Sequence, residues 1–107
     1  MFHVKHRLYI RTELTIPGAG VAVHIAELEE RDERTCSMLR LIELAPDDTI
    51  MGAAGKGKKA GAVTAPNDVV PHPSTYHEYD GLQATHLSEA EFTALWSEAQ
   101  AKFPDLG

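Results

Sequence analysis

One cysteine, Cys36, one tryptophan and 7% aromatic residues are all that 107 positions supply of those types. A lone thiol cannot close an internal bridge, so a secreted disulfide-stapled scaffold is excluded and a reducing, cytoplasmic location is expected. Few aromatics limit the apolar area available, which predicts a thin core. Long hydrophobic runs are missing as well. The first residues, MFHVKHRLYIRTELTI, carry a charge every two or three positions. That pattern has no room for a signal peptide or for the roughly 20 apolar residues of a spanning helix, so no membrane segment is expected. Basic residues are scarce: 10 Lys and Arg stand against 16 Asp and Glu, a net charge of −6. This balance argues against general affinity for nucleic acid or an anionic membrane. The length leaves no room for a two-domain enzyme.

With 43% apolar and 24% charged residues the chain falls in the globular class and reads as a single domain, residues 1–107. From Phe2 to Ile16 apolar residues favour even positions, the period of a half-buried strand. Pro17 to Gly20 ends it with a turn, since proline cannot donate to a ladder and glycine accepts positive φ.

The next stretch, VAVHIAELEERDERTCSMLRLIELA, admits two readings. As a helix its apolar face is broken at Asp32 and diluted by Thr35 and Ser37. As strands, Val21–Leu28 and Thr35–Leu44 form two arms about a charged turn at Glu30–Glu33, the reading preferred here. Thr49–Ala53 adds a brief strand. Residues 52–73 have little periodicity and are rich in glycine, lysine and proline, which predicts one long mobile loop. Leu82–Leu87 is a further short strand.

The C-terminal element is set by local chemistry. Ser88 and Glu91 form a capping box, with Leu87 and Phe92 at the staple positions. A helix is therefore expected over Glu89–Lys102, ended by Pro104, with Phe92, Leu95, Trp96, Ala99 and Phe103 on one face. The expected fold is α+β: a mostly antiparallel sheet of four or five strands with this helix packed on one face.

Candidate chemistry is sparse. Gly52, Gly57 and Lys58 match the spacing of a phosphate-binding loop, but Lys59 stands where Ser or Thr must hold magnesium, and no helix can follow. The cations Lys56, Lys58 and Lys59 then read as a basic loop able to meet an acidic surface. His3 and His6 point to opposite faces of a strand, and His72 and His77 are separated by a segment that fixes no common direction, so neither pair defines a metal site. His24 reads as a half-buried, hydrogen-bonded histidine. Cys36 lacks a glycine elbow or helix N-terminus and reads as a buried, inert thiol. No catalytic residue, metal or cofactor is expected.

The acidic run Glu27–Glu33 at the hairpin turn is the sharpest charge feature. Its plain reading is a solvated tip; its functional reading is a docking surface for a basic protein through Glu29, Glu30 and Glu33. The leading expectation is thus a non-enzymatic protein-binding module with an unidentified, basic partner. The alternative is a small-ligand or enzymatic site between the sheet and the 52–73 loop, with Lys58, His72 and His77 contributing. A third expectation is homodimerisation, with residues 1–16 either pairing across a dimer edge or burying their apolar face between subunits.

The segment HLSEAEFTALWSEA resembles the ending of a family of small bacterial domains of unknown function, which close on Ile or Leu, Ser, two residues, Glu-Phe, three residues and Trp. AELEERDERTCSMLRLIELAPDD is similar to the same family's acidic strand, charged turn and following strand, with Pro46-Asp47-Asp48 in place of its usual Asp-Gly. The resemblance covers about two thirds of the chain and implies an α+β unit with no catalytic residues to carry over. Small acidic bacterial domains of this type include immunity proteins, which makes an immunity or regulatory role the implied one.

Overall fold

A computed structural model describes residues 6–55, 57–63 and 68–106. His3, Lys56 and the start of the expected first strand lie outside the described residues. The chain order is β1 (Arg7–Ile16), β2 (Gly20–Glu30), β3 (Thr35–Leu44), β4 (Ile50–Gly55), β5 (Lys58–Gly61), β6 (Val69–Pro71), a 3₁₀ turn (Pro73–Glu78), β7 (Leu82–Leu87), α1 (Glu89–Lys102) and a final 3₁₀ turn (Pro104–Leu106). All pairings are antiparallel. The strand order is β5-β4-β3-β2-β1-β7, with β6 pairing the first residues of β3.

The α+β class, the antiparallel sheet and the helix boundaries agree with the expectation. Among the described residues the sheet has seven strands rather than four or five. The extra strands lie in residues 52–73, where the end of β4, β5 and β6 replace the expected single long loop. β5, Lys-Lys-Ala-Gly, carries little strand propensity and pairs β4, and β6 is only three residues long despite Val69 and Val70; β3 supplies the template for β4 and β6. Its outer side pairs β6 at Thr35–Ser37 and β4 at Arg40–Leu44. At Gly52 a Cβ would lie 2.8 Å from the Ala60 carbonyl oxygen, so glycine there permits the close β4–β5 approach.

Burial follows position along the strands as well as the two faces. Tyr9 and Ile10 point to opposite faces of β1, yet both are buried. On one face α1 and the last 3₁₀ turn cover Tyr9, Val23, Ile25, Ile42 and Leu44 with Phe92, Trp96, Ala99 and Leu106. On the other, Ile10, Ala26, Leu28, Cys36 and Leu41 are closed by Val63, Val70 and Tyr76. Farther along β1 that second cover ends, and Leu14 and Ile16 are exposed. The strand is therefore buried on both sides at one end and open at the other.

The helix begins as its cap dictates. The Ser88 N–H donates to Glu91 Oε1 at 2.9 Å and the Glu91 N–H to Ser88 Oγ at 3.1 Å. Phe92 and Trp96 stack with centroids 6.3 Å apart, and Tyr9 meets Phe92 at 5.3 Å. At the other end Lys102 Nζ donates to the Ile50 carbonyl at 2.7 Å, tying the helix to β4.

Candidate functional site

The sheet has edges of two kinds, and the contrast between them is its main functional feature. At one end β5 is four residues long and carries Lys58 and Lys59, while β6 is three residues long and ends in Pro71. Short length, lysine and proline are the devices that keep a sheet edge from pairing with another chain. At the other end β7 reads Leu-Gln-Ala-Thr-His-Leu: six residues with no Asp, Glu, Lys, Arg or Pro. Its register against β1 is unbroken from Tyr9–Leu87 to Leu14–Leu82. Gln83, Ala84, Thr85 and His86 are exposed.

The direction of the β7 main chain follows from two hydrogen bonds. Glu30 N–H donates to the His6 carbonyl at 3.0 Å, and Thr15 N–H donates to the Gly81 carbonyl at 2.9 Å. Antiparallel ladders alternate bonded and non-bonded pairs. Even residues of β1 thus bond β2 and odd residues bond β7. Within β7, Gln83, Thr85 and Leu87 face β1, and the N–H and C=O groups of Ala84 and His86 point outward. So does the Leu82 carbonyl, while its N–H makes a long 3.5 Å contact with the Tyr79 carbonyl. Among the described residues no strand pairs with this side of β7. Leu82 lies opposite Leu14, so the open edge borders the exposed apolar end of β1.

The acidic run is less of a free tip than its sequence implies. Glu27 is buried, 3% exposed, and bonds Arg40 through both oxygens: Nε to Oε1 at 2.6 Å and Nη2 to Oε2 at 3.0 Å. Arg7 adds a contact at 3.3 Å. Burial acts to raise the Glu27 carboxyl, but the hydrogen bond and charge of Arg40, then the charge of Arg7, outweigh it and hold the group below its ordinary value. The Arg40 guanidinium lies 4.9 Å from the Phe92 ring centre and 5.0 Å from that of Trp96, so the ion pair is clamped between sheet and helix. Glu29 accepts from Arg7 Nε at 3.1 Å, and Glu30 lies 2.8 Å from His72 Nε2. Glu33 is exposed in the β2–β3 turn, beside the exposed Arg31 and Arg34. Of the three expected docking residues, two are thus already engaged within the chain.

The residues of the expected ligand site are dispersed. Lys58 and Lys59 line a depression of about 350 Å³ with Met38, Gly55 and Asp68. His72 turns away from it: Nδ1 accepts from the Ser74 N–H at 3.0 Å and caps the 3₁₀ turn, while Nε2 meets Glu30. His77 is exposed on that turn. His24 lies 2.8 Å from Glu43. Cys36 is fully buried, and burial pushes its thiol up to about 11, with the charges of Glu30 and Asp32 adding to it. Among the described residues no group of three or more His, Cys, Asp or Glu side chains is placed to hold a metal ion, and no helix is long and apolar enough to cross a membrane.

The sequence reading missed β7 as the open edge, placing the edge instead in residues 1–16. The structure corrects this for the described part of that segment: β1 lies between β2 and β7, with both sides paired. The signal that could have found the true edge was the absence of any charge in Leu82–Leu87, against Lys58 and Lys59 on the opposite side. No family model, curated protein or solved structure matches the chain.

Proposed function

We propose that this chain is a non-enzymatic protein-binding module that engages its partner by strand addition to the outer edge of β7. The observation that carries this reading is the uncharged, unbroken and exposed edge, whose Ala84 and His86 main-chain groups point outward. An extended segment docking there gains ladder hydrogen bonds from the backbone and selectivity from alternate side chains. The exposed side chain of Leu14 and the half-buried Leu82 opposite it offer apolar contact beside it, and Glu33 adds an exposed acidic group at the opposite end of β2. The role is of the immunity or regulatory type implied by the resemblance of the C-terminal segment. The buried thiol of Cys36 and the dispersal of Lys58, His72 and His77 favour binding over catalysis.

The test is a photo-crosslinking amino acid placed at Ala84 in one variant and at Lys59 in another, each irradiated in the same protein mixture. Discrete adducts from position 84 and none from position 59 are expected. Equal adducts from both edges, or none from position 84, would sink the reading.

A further inference from the structure

We propose that the occupant of this edge is β7 of a second copy, paired antiparallel about Ala84, so that two chains share one continuous sheet. The inference rests on the strand-addition reading above and names its partner. In the two-fold register Ala84 faces its own counterpart, Leu82 faces the second copy's His86, and Gln83 faces the second copy's Thr85. The outward main-chain groups of Leu82, Ala84 and His86 are symmetric about Ala84, which is the self-complementarity that an isologous interface requires.

Charge favours a second copy at this edge over the opposite rim at β5. The chain carries a net charge of −6, so most approaches of two copies bring like charges together. Leu82–Leu87 contains no formal charge, and each cross-strand pair in the two-fold register is apolar or neutral-polar. Pairing the opposite rim would instead set Lys58 and Lys59 against their own copies. On the Leu82 side of the sheet the second strand also covers part of the apolar surface formed by Leu14 and Leu82, which lie in register. Asp80 and Glu89 sit just outside the paired segment at its two ends. Their repulsion across the interface makes association tighten as salt rises.

Ala84 also provides the test, because its N–H faces away from β1. Ala84→Pro removes an outward donor while leaving the β1–β7 ladder bonds in place, and Ala84→Lys brings two cations together on the two-fold axis. Light scattering should give the wild type twice the mass of one chain, with tighter association at about 0.5 M than at about 0.05 M salt. The amides of Ala84 and His86 should exchange slowly. Both variants should be monomeric with the wild-type circular dichroism; if Ala84→Pro fails to fold, Ala84→Lys alone decides. A dimer that survives the variants, or that loosens as salt rises, uses another surface and overturns the proposal. So does a strictly monomeric wild type. In a monomer, fast exchange at Ala84 and His86 would leave the strand-addition reading standing for a different occupant. Slow exchange there would overturn that reading as well, since the edge would be covered within the chain itself.

Discussion

Glu27 and Arg40 face each other across β2 and β3, joined by two hydrogen bonds of 2.6 and 3.0 Å in a site where the carboxylate is almost wholly buried. The pair depends on a register shift: Glu27 lies opposite Arg40 while the next residue, Leu28, lies opposite Met38. The extra residue, Leu39, is a bulge that brings Arg40 onto the helix-covered face. There Gly55 lies opposite Arg40, and a Cβ at Gly55 would stand 2.6 Å from Arg40 Cγ. Glycine therefore makes room for the arginine stem, and Phe92 and Trp96 close over its head.

Removing one partner from this site leaves a buried charge uncompensated. Arg40→Ala should lower the unfolding free energy by about 3–5 kcal/mol, read by urea denaturation. Glu27→Leu combined with Arg40→Met should recover most of that loss, because the apolar pair leaves no charge behind. A loss below about 1 kcal/mol for Arg40→Ala would show that Arg7 alone compensates Glu27.

The same pair fixes a pH dependence. The Glu27 carboxyl is held below the ordinary value of 4.5, so the unfolded chain binds its proton at higher pH than the folded one. Its contribution is therefore fully present above pH 4.5 and is lost as pH falls through the lower folded value. Denaturation at pH 7 and at about pH 3 should show a smaller stability difference for Glu27→Gln than for the wild type. An unchanged difference would assign the acid sensitivity to other carboxylates, among them Asp32 and Asp47, which local hydrogen bonds also hold below their ordinary value.

Cys36 should be inert in the folded chain. It is covered on its own face by Val70 and Tyr76, and its thiol is pushed up to about 11, leaving little thiolate near neutrality. At about pH 8 a thiol-specific disulfide reagent should label it slowly in buffer and at once in denaturant. Immediate labelling in buffer would mean that the cover formed by β6 and the first 3₁₀ turn opens readily.

His72 should be held in one tautomer. Because Nδ1 accepts the Ser74 N–H, the neutral ring carries its proton on Nε2 and donates it to Glu30. Nitrogen chemical shifts of the neutral ring should show the Nε2–H form. The Nδ1–H form would show that the cap of the 3₁₀ turn is absent in solution.

What the sequence determined by itself is what local chemistry controls. The capping box at Ser88 and Glu91 acts over three residues, so α1 was legible to its boundaries, and Phe92 and Trp96 were legible as its buried face. The turn at Pro17–Gly20 and the two arms about Glu30–Glu33 were legible for the same reason: alternation and turn residues lie within each hairpin. Where the contacts are remote in sequence, tertiary structure decided. β5 has little strand propensity of its own and β6 is only three residues ending in Pro71, so both exist because β4 and β3 offer them free edges. Glu27 sits within an acidic run that reads as solvated, yet it shares the face of Val23 and Ile25, and the pairing of β3 sets Arg40 opposite it beneath a helix more than 60 residues away in the sequence. The open edge was decided in the same way. Leu82–Leu87 is readable as a strand, but its place on the rim follows from β2 taking the other side of β1, a pairing that no local pattern encodes.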